Sequence, residues 1–170
     1  MADIELAGYR PGSLAGTIAL HMDYYAAEWG FGAEFETKLA REMGEFVARM
    51  DSEDDLFLTA WRDGDLVGSI TLDATGGGEM GAHLRWFIVG IAARGTGLGG
   101  RLMDETMRFA DRRGHHRMWL TTFAGLDPAR RLYEKHGFEL ASESDVDQWS
   151  GGVREQLFVR DRSAEAGSAH

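Results

Sequence analysis

Around residues 86–101 the chain offers backbone, not side chains, for chemistry. Trp86, Phe87, Ile88 and Val89 read as a buried strand. Gly90-Ile91-Ala92-Ala93 follows as a link, and Arg94-Gly95-Thr96-Gly97-Leu98-Gly99-Gly100-Arg101 as a loop entering the first turn of an amphipathic helix. Glycines at 95, 97, 99 and 100 leave out side chains where amides can close on an anion. A helix starting here aims its unpaired N–H groups and positive dipole end at the same point. Strand, loop and helix start thus make a phosphate cradle, to which Arg94 and Arg101 can add guanidinium hydrogen bonds.

The spacing narrows the phosphate ligand. A Walker loop ends in Gly-Lys-Ser/Thr, and no lysine lies between Lys38 and Lys135. Gly95, Gly97 and Gly100 satisfy Gly-x-Gly-x-x-Gly, so the pattern alone leaves a dinucleotide loop open. Such a unit places an acidic residue at the end of its next strand, where this chain has Thr121-Thr122-Phe123. The better match is Arg-x-x-Gly-x-Gly at Arg94, Gly97 and Gly99, which resembles the acyl-CoA signature of the GNAT (GCN5-related) N-acetyltransferases. A second block, Ala129 through Tyr133 to Gly137-Phe138, resembles that superfamily's second motif. Two motifs in this order, one helix and one strand apart, are more specific than either alone. Residues 24–35 also resemble the acetyltransferase part of bacterial MarR-type regulator–acetyltransferase fusions, here without a DNA-binding half.

The resemblance implies acetyl-CoA as acyl donor, lying in a cleft where the sheet parts. Its pantetheine amides would pair with backbone at Phe87, Ile88 and Val89. Its pyrophosphate would sit on the amides from Arg94 through Gly95, Thr96, Gly97, Leu98, Gly99 and Gly100 to Arg101, with Arg130 nearby. Tyr133 matches the tyrosine that protonates the departing thiolate, a transfer that a phenol can make. His83, six residues before Val89, matches a position from which several branches present a Glu or His base. Strand alternation groups His83, Arg85, Phe87 and Val89 on one face, so His83 and Arg85 would reach one pocket. The motif commonly has Asn seven residues before the tyrosine; this chain has Leu126, which removes one side-chain amide from the donor site.

The acceptor side is expected at the entrance, from Glu28, Trp29 and Phe31 beside Tyr24 and Tyr25, from Phe123 after the fifth strand, and from Trp149 in the last hairpin. Aromatics with a carboxylate suit an amine carrying an apolar body, and Arg85 can take a carboxylate, so a small amine or an amino acid is the expected acceptor. A non-catalytic acyl-CoA sensor, for which Leu126 argues, and an acetyltransferase acting on protein lysine or N-termini are the competing readings.

The elements that must position these residues follow from hydrophobic periodicity. They run as a strand near Asp3–Ala7, a helix from Ser13 to Trp29 with Ser13 as its cap, and a helix from Ala33 to Met50. Strands Leu56–Arg62 and Leu66–Asp73 join through Asp63-Gly64-Asp65. A glycine-rich link over Thr75–Gly81, the strand His83–Val89, the helix Leu98–Arg113 and the strand Arg117–Phe123 come next. A short helix capped by Asp127 with Pro128 at its first position leads to strands Phe138–Ser144 and Val153–Val159. This order is the GNAT order: an α/β fold with a mixed, mostly antiparallel seven-stranded sheet split at its centre and flanked by about four helices. Residues 1–160 are expected to form one domain, and 161–170 a disordered tail.

Bulk composition agrees. With 170 residues and 44% apolar content, the chain can bury a sizeable core. Absence of cysteine rules out disulfides and thiolate metal sites, and no metal is expected. The net charge of −10 argues against nucleic-acid partners. From Arg85 to Lys135, however, ten Lys/Arg face five Asp/Glu, which concentrates positive charge where the polyanionic donor would lie. No apolar run approaches a membrane span of about 20 residues, and no secretory signal is evident. A cytoplasmic protein without a membrane partner is expected, and a homodimer is compatible with the resemblance.

Overall fold

The computed structural model describes residues 3–144 and 154–163. The elements run β1 (Glu5–Ala7), α1 (Ser13–Trp29), α2 (Ala33–Arg49), β2 (Leu56–Arg62), β3 (Asp65–Asp73), β4 (Ala82–Val89), α3 (Leu98–Arg113), β5 (Arg117–Phe123), α4 (Asp127–Lys135), β6 (Glu139–Ser144) and β7 (Glu155–Asp161). Short 3-10 turns at Gly78–Met80 and Ile91–Ala93 bracket β4. Among the described residues no helix is long and apolar enough to cross a membrane.

The sheet has seven strands in the order β1-β2-β3-β4-β5-β7-β6, and every pair is antiparallel except β4 with β5. That parallel pair is in register only at Ala82↔Met118 and His83↔Trp119. Beyond His83 the two strands diverge, so the sheet is split at its centre as the motif order implied. From Leu84 to Val89, β4 is paired on its β3 side alone.

Apolar side chains collect on the two faces of this sheet. The larger cluster lies against α3 and α4 and includes Ile70, Leu84, Leu98, Leu102, Met103, Met107, Leu120 and Phe158. The smaller, mostly aromatic one lies with α1 and α2 and holds Phe31, Phe35, Leu39, Met43, Phe46 and Phe57. Helix α2 repeats its apolar residues at Phe35, Leu39, Met43 and Phe46, one stripe of a 3.6-residue period.

Several local expectations are corrected. Gly12, in the left-handed region at φ 97°, is the cap position of α1, while Ser13 is its first helical residue and its Oγ accepts a hydrogen bond from the Arg10 amide at 3.0 Å. Asp127 likewise begins α4 instead of capping it; the cap position is Leu126, which supplies no side-chain bond. The closing strand runs on to Asp161, two residues past the expected end, and the expected tail beyond residue 163 lies outside the described residues.

The larger correction concerns β4. Ser69 opposes Ile88 and Thr71 opposes Arg85, so Ile70 faces two residues, Trp86 and Phe87, with Trp86 at φ 51°. This bulge inverts the alternation halfway along the strand. Ala82, Leu84, Phe87 and Val89 pack with the α3 cluster, whereas Trp86 packs with the α1–α2 cluster. His83 and Arg85 therefore do not share a face with Phe87 and Val89, because one extra residue moves every later side chain to the opposite side.

Candidate active site

The glycine loop is built by backbone geometry. The 3-10 turn closes β4 with the Ala93 amide donating to Gly90 O at 2.9 Å, and Gly95 and Gly97 then take φ values of 78° and 82°. Such values cost little only without a Cβ, and they turn the chain so that α3 can start at Leu98. Thr96 Oγ1 donates to Ala93 O at 2.5 Å and accepts the Leu98 amide at a long 3.4 Å. The amides of Gly95, Thr96, Gly97, Gly99 and Gly100 find no acceptor among the described residues. The first bond inside the helix is Arg101 N–H to Gly97 O at 3.2 Å. A run of open donors at a helix start is an anion-binding geometry.

The three arginines expected beside this loop each have a protein contact. The Arg94 guanidinium stands 4.7 Å over the Tyr24 ring, Arg101 donates to Ile4 O at 3.2 Å, and Arg130 Nε donates to Glu134 at 2.7 Å. All three contacts are on exposed or partly exposed side chains, where exchanging such a partner for a phosphate costs little.

From this loop the split in the sheet leads to a cleft of about 400 Å³ between β4 and β5, with α1 and α2 on one side. It brings together Tyr133, His83, Arg85, Phe87 and Phe123 from the sequence reading. Tyr133, 6% exposed, packs edge-on to Phe87 and Phe138 and is tilted against Phe158, each about 6.1 Å away. Burial, reinforced by Tyr25, raises its pKa well above the usual phenol value. The hydroxyl thus stays protonated at neutral pH, as a hydrogen-bond donor that is a weaker acid than an exposed phenol.

His83 stacks on Trp119 with ring centres 3.6 Å apart, a contact that the sequence did not signal. Burial first, and the Arg85 charge second, lower its pKa to about 3 against a weaker upward pull from Asp73. The imidazole is neutral at neutral pH but only feebly basic. Arg85 is held by Asp73 at 3.3 Å and Glu42 at 3.1 Å, and its guanidinium lies 4.0 Å from the Trp86 ring centre. Asp73 is fully buried and also takes Arg49 at 2.6 Å and the Gly76 amide at 2.8 Å. Burial alone would raise the Asp73 pKa; the arginines and the amide outweigh it and hold the group ionised below the ordinary value.

The remaining expected acceptor residues divide. Glu28 is exposed on α1, and Phe31, 4% exposed, belongs to the aromatic core together with Trp29; none of the three lines the cleft. Trp149 lies outside the described residues. In their place the cleft presents His21, Phe35, Lys38, Glu42 and Glu155. His21 Nδ1 is 2.8 Å from Thr17 O, so the proton sits on Nδ1 and Nε2 carries the lone pair. Burial lowers its pKa to about 4, against that hydrogen bond, which raises it. Among the described residues no group of three or more His, Cys, Asp or Glu side chains is arranged to hold a metal ion.

Comparison with known proteins agrees with this geometry. The family model described as "Acetyltransferase (GNAT) family" matches residues 15–138. No curated protein matches. Among solved structures, a GNAT-family acetyltransferase from Staphylococcus aureus Mu50 aligns with a TM-score of 0.73 at 16% identity, covering 94% of this chain and 99% of its own. A ribosomal-protein-alanine N-acetyltransferase from Brucella melitensis aligns with a TM-score of 0.74 at 20% identity, covering 92% and 99%. A GCN5-related N-acetyltransferase from Kribbella flavida gives 0.72 at 16% identity, covering 93% and 97%. A loop of open amides at a helix start, a sheet split beside it and a tyrosine in the split therefore coincide with a family match over most of the chain: this protein belongs to the GNAT acetyltransferase family and is an acyltransferase.

Proposed function

We propose that the protein moves an acetyl group from acetyl-CoA to the amine of a small molecule by direct attack in a ternary complex. The observation that carries this reading is the divergence of β4 from β5 after His83↔Trp119, which opens an aromatic-walled cleft beside Tyr133. The donor's diphosphate is received by the free amides between Gly95 and Gly100. Its pantetheine amides run along the unpaired edge of β4 from Leu84 to Val89. The thioester is thereby carried towards Tyr133.

The acceptor amine, once unprotonated, attacks the thioester carbonyl carbon. The carbon–sulfur bond breaks and the thiolate takes the Tyr133 proton, while the amine nitrogen's second proton passes through water in the cleft to the Tyr133 oxygen, whose raised pKa favours its return. Much of the rate gain comes from holding the two reactants in line. His83 is already neutral and can orient that water, but a pKa of about 3 makes it a poor final holder of the proton. A cleft with Phe35, Phe123 and Trp86 in its wall suits an acceptor with an apolar body.

The test is Tyr133→Phe, assayed by release of CoA thiol across a panel of amines. We expect kcat to fall about 10²-fold, the usual scale for losing a general acid, with acetyl-CoA binding heat retained. Wild-type protein that binds acetyl-CoA but acetylates no amine in the panel would favour the sensor reading.

A further inference from the structure

Tyr25, four residues after His21 on α1, is enclosed by rings. His21 and Phe31 lie nearly parallel to it, at 12° and 6°. Tyr24, Phe35 and Phe123 complete the enclosure, and all five ring centres are 5.0 to 6.3 Å away. Such packing fixes the phenol's direction. Its hydroxyl makes no hydrogen bond among the described residues. Nor is it one of the sealed, partnerless polar atoms, which are the hydroxyls of Thr17, Ser69 and Thr71. Because Tyr25 lines the cleft, its hydroxyl opens there. Two groups lie within its electrostatic reach: Arg94, whose charge pulls the Tyr25 pKa down, and Tyr133, whose own pKa Tyr25 pushes up. Arg94 heads the diphosphate loop and Tyr133 stands at the thiol end, so Tyr25 faces the stretch of cleft along which the donor's arm runs.

We propose that Tyr25 is a second catalytic phenol, whose hydroxyl donates a hydrogen bond to the thioester carbonyl oxygen and stabilises the negative charge that gathers there. This rests on the transfer function proposed above and adds a residue to it. In a thioester the sulfur and the oxygen share one carbon. Two donors facing one stretch of cleft can therefore serve the two atoms that gain charge, Tyr133 the sulfur and Tyr25 the oxygen. As the amine nitrogen bonds to that carbon, the C=O π pair moves onto oxygen. When the carbon–sulfur bond breaks, the pair returns and the C=O bond re-forms. Tyr25 keeps its proton throughout, because burial and Tyr24 raise its pKa against the Arg94 charge. A hydroxyl donating to the amine instead would occupy the lone pair that attacks, so the oxygen is its productive partner. A donor already packed in place needs no reorganisation as the charge develops.

Tyr25→Phe keeps the ring and removes only the hydroxyl. The experiment measures steady-state thiol release across amines and acetyl-CoA binding by calorimetry. It also records the infrared carbonyl band of bound acetyl-CoA, isolated by difference against acetyl-CoA carrying carbon-13 at that carbonyl. In Tyr25→Phe we expect kcat to fall about 10²-fold, the scale of losing one oxyanion donor, with Kd for acetyl-CoA within about threefold. The carbonyl band should move to higher frequency, since a hydrogen bond to the oxygen weakens C=O, whereas Tyr133→Phe should leave it in place. Replacing Tyr25 by 3-fluorotyrosine, a more acidic phenol of similar size, should lower the band instead. A band that answers neither change at position 25, or a Tyr25→Phe kcat within about twofold of wild type, overturns the proposal. A band that follows Tyr25 while wild type releases no thiol would keep this hydrogen bond and remove the transfer function. Wild type that binds no acetyl-CoA overturns both.

Discussion

His21 and His83 are both held neutral by burial, and this has a measurable consequence. Unfolded, each takes up a proton near pH 6.5. Folded, His21 resists protonation until about pH 4 and His83 until about pH 3. Between those limits the unfolded chain binds more protons, so stability is fully present above pH 6.5 and is lost as the pH falls. The slope approaches about 1.4 kcal/mol per pH unit for each histidine, or about 2 kcal/mol each between pH 7 and pH 5. Thermal melting over that range should show a falling Tm, and His83→Gln should remove about half of the slope. A slope unchanged in the variant would show that His83 titrates normally. At this scale the motifs made placement legible: Tyr133 lines the cleft, and Gly95 and Gly97 take the positive φ values of the loop. Trp119 beneath His83 and Glu155 opposite Phe123 stayed hidden, because each is placed by a strand neighbour that only the sheet order defines.

Element boundaries were the most legible feature. Strands β2 and β5 and helix α3 begin and end where periodicity and the flanking glycines put them, because amphipathic stripes and chain-reversing residues act locally. The bulge at Trp86 was not legible: nothing in Trp86-Phe87 marks an extra residue, and its partner Ile70 is sixteen positions away. The bulge turns Phe87 and Val89 towards α3, where a Cβ on Gly99 would lie 3.5 Å and 3.7 Å from them. At the loop itself, Gly97→Ala forces a Cβ onto φ 82° in open space, so strain and not collision sets the cost. We expect a loss of about 1 kcal/mol in stability and a weakening of acetyl-CoA binding of about tenfold, read by chemical denaturation and calorimetry. Unaltered affinity with reduced stability would mean that the loop holds no phosphate.

At the level of the whole molecule, the split sheet is the feature with the longest reach. Its two halves share a parallel seam of only two residue pairs, and past that seam β4 behaves as an edge strand turned inward. Edge strands accept any extended chain with free amides, and proteins normally cover them. A pantetheine arm is such a chain, so donor binding should act as a splint joining the two halves as well as delivering a thioester. Hydrogen exchange should register this, with amides in residues 84–89 protected several-fold by saturating CoA while those of β2, remote from the seam, change little. Melting should then become ligand-dependent, rising by the equivalent of about 2.7 kcal/mol at a hundredfold excess over Kd. A protein braced by its own substrate is stiffest when loaded and loosest once the product has gone, so the state of the seam would report the stage of the catalytic cycle.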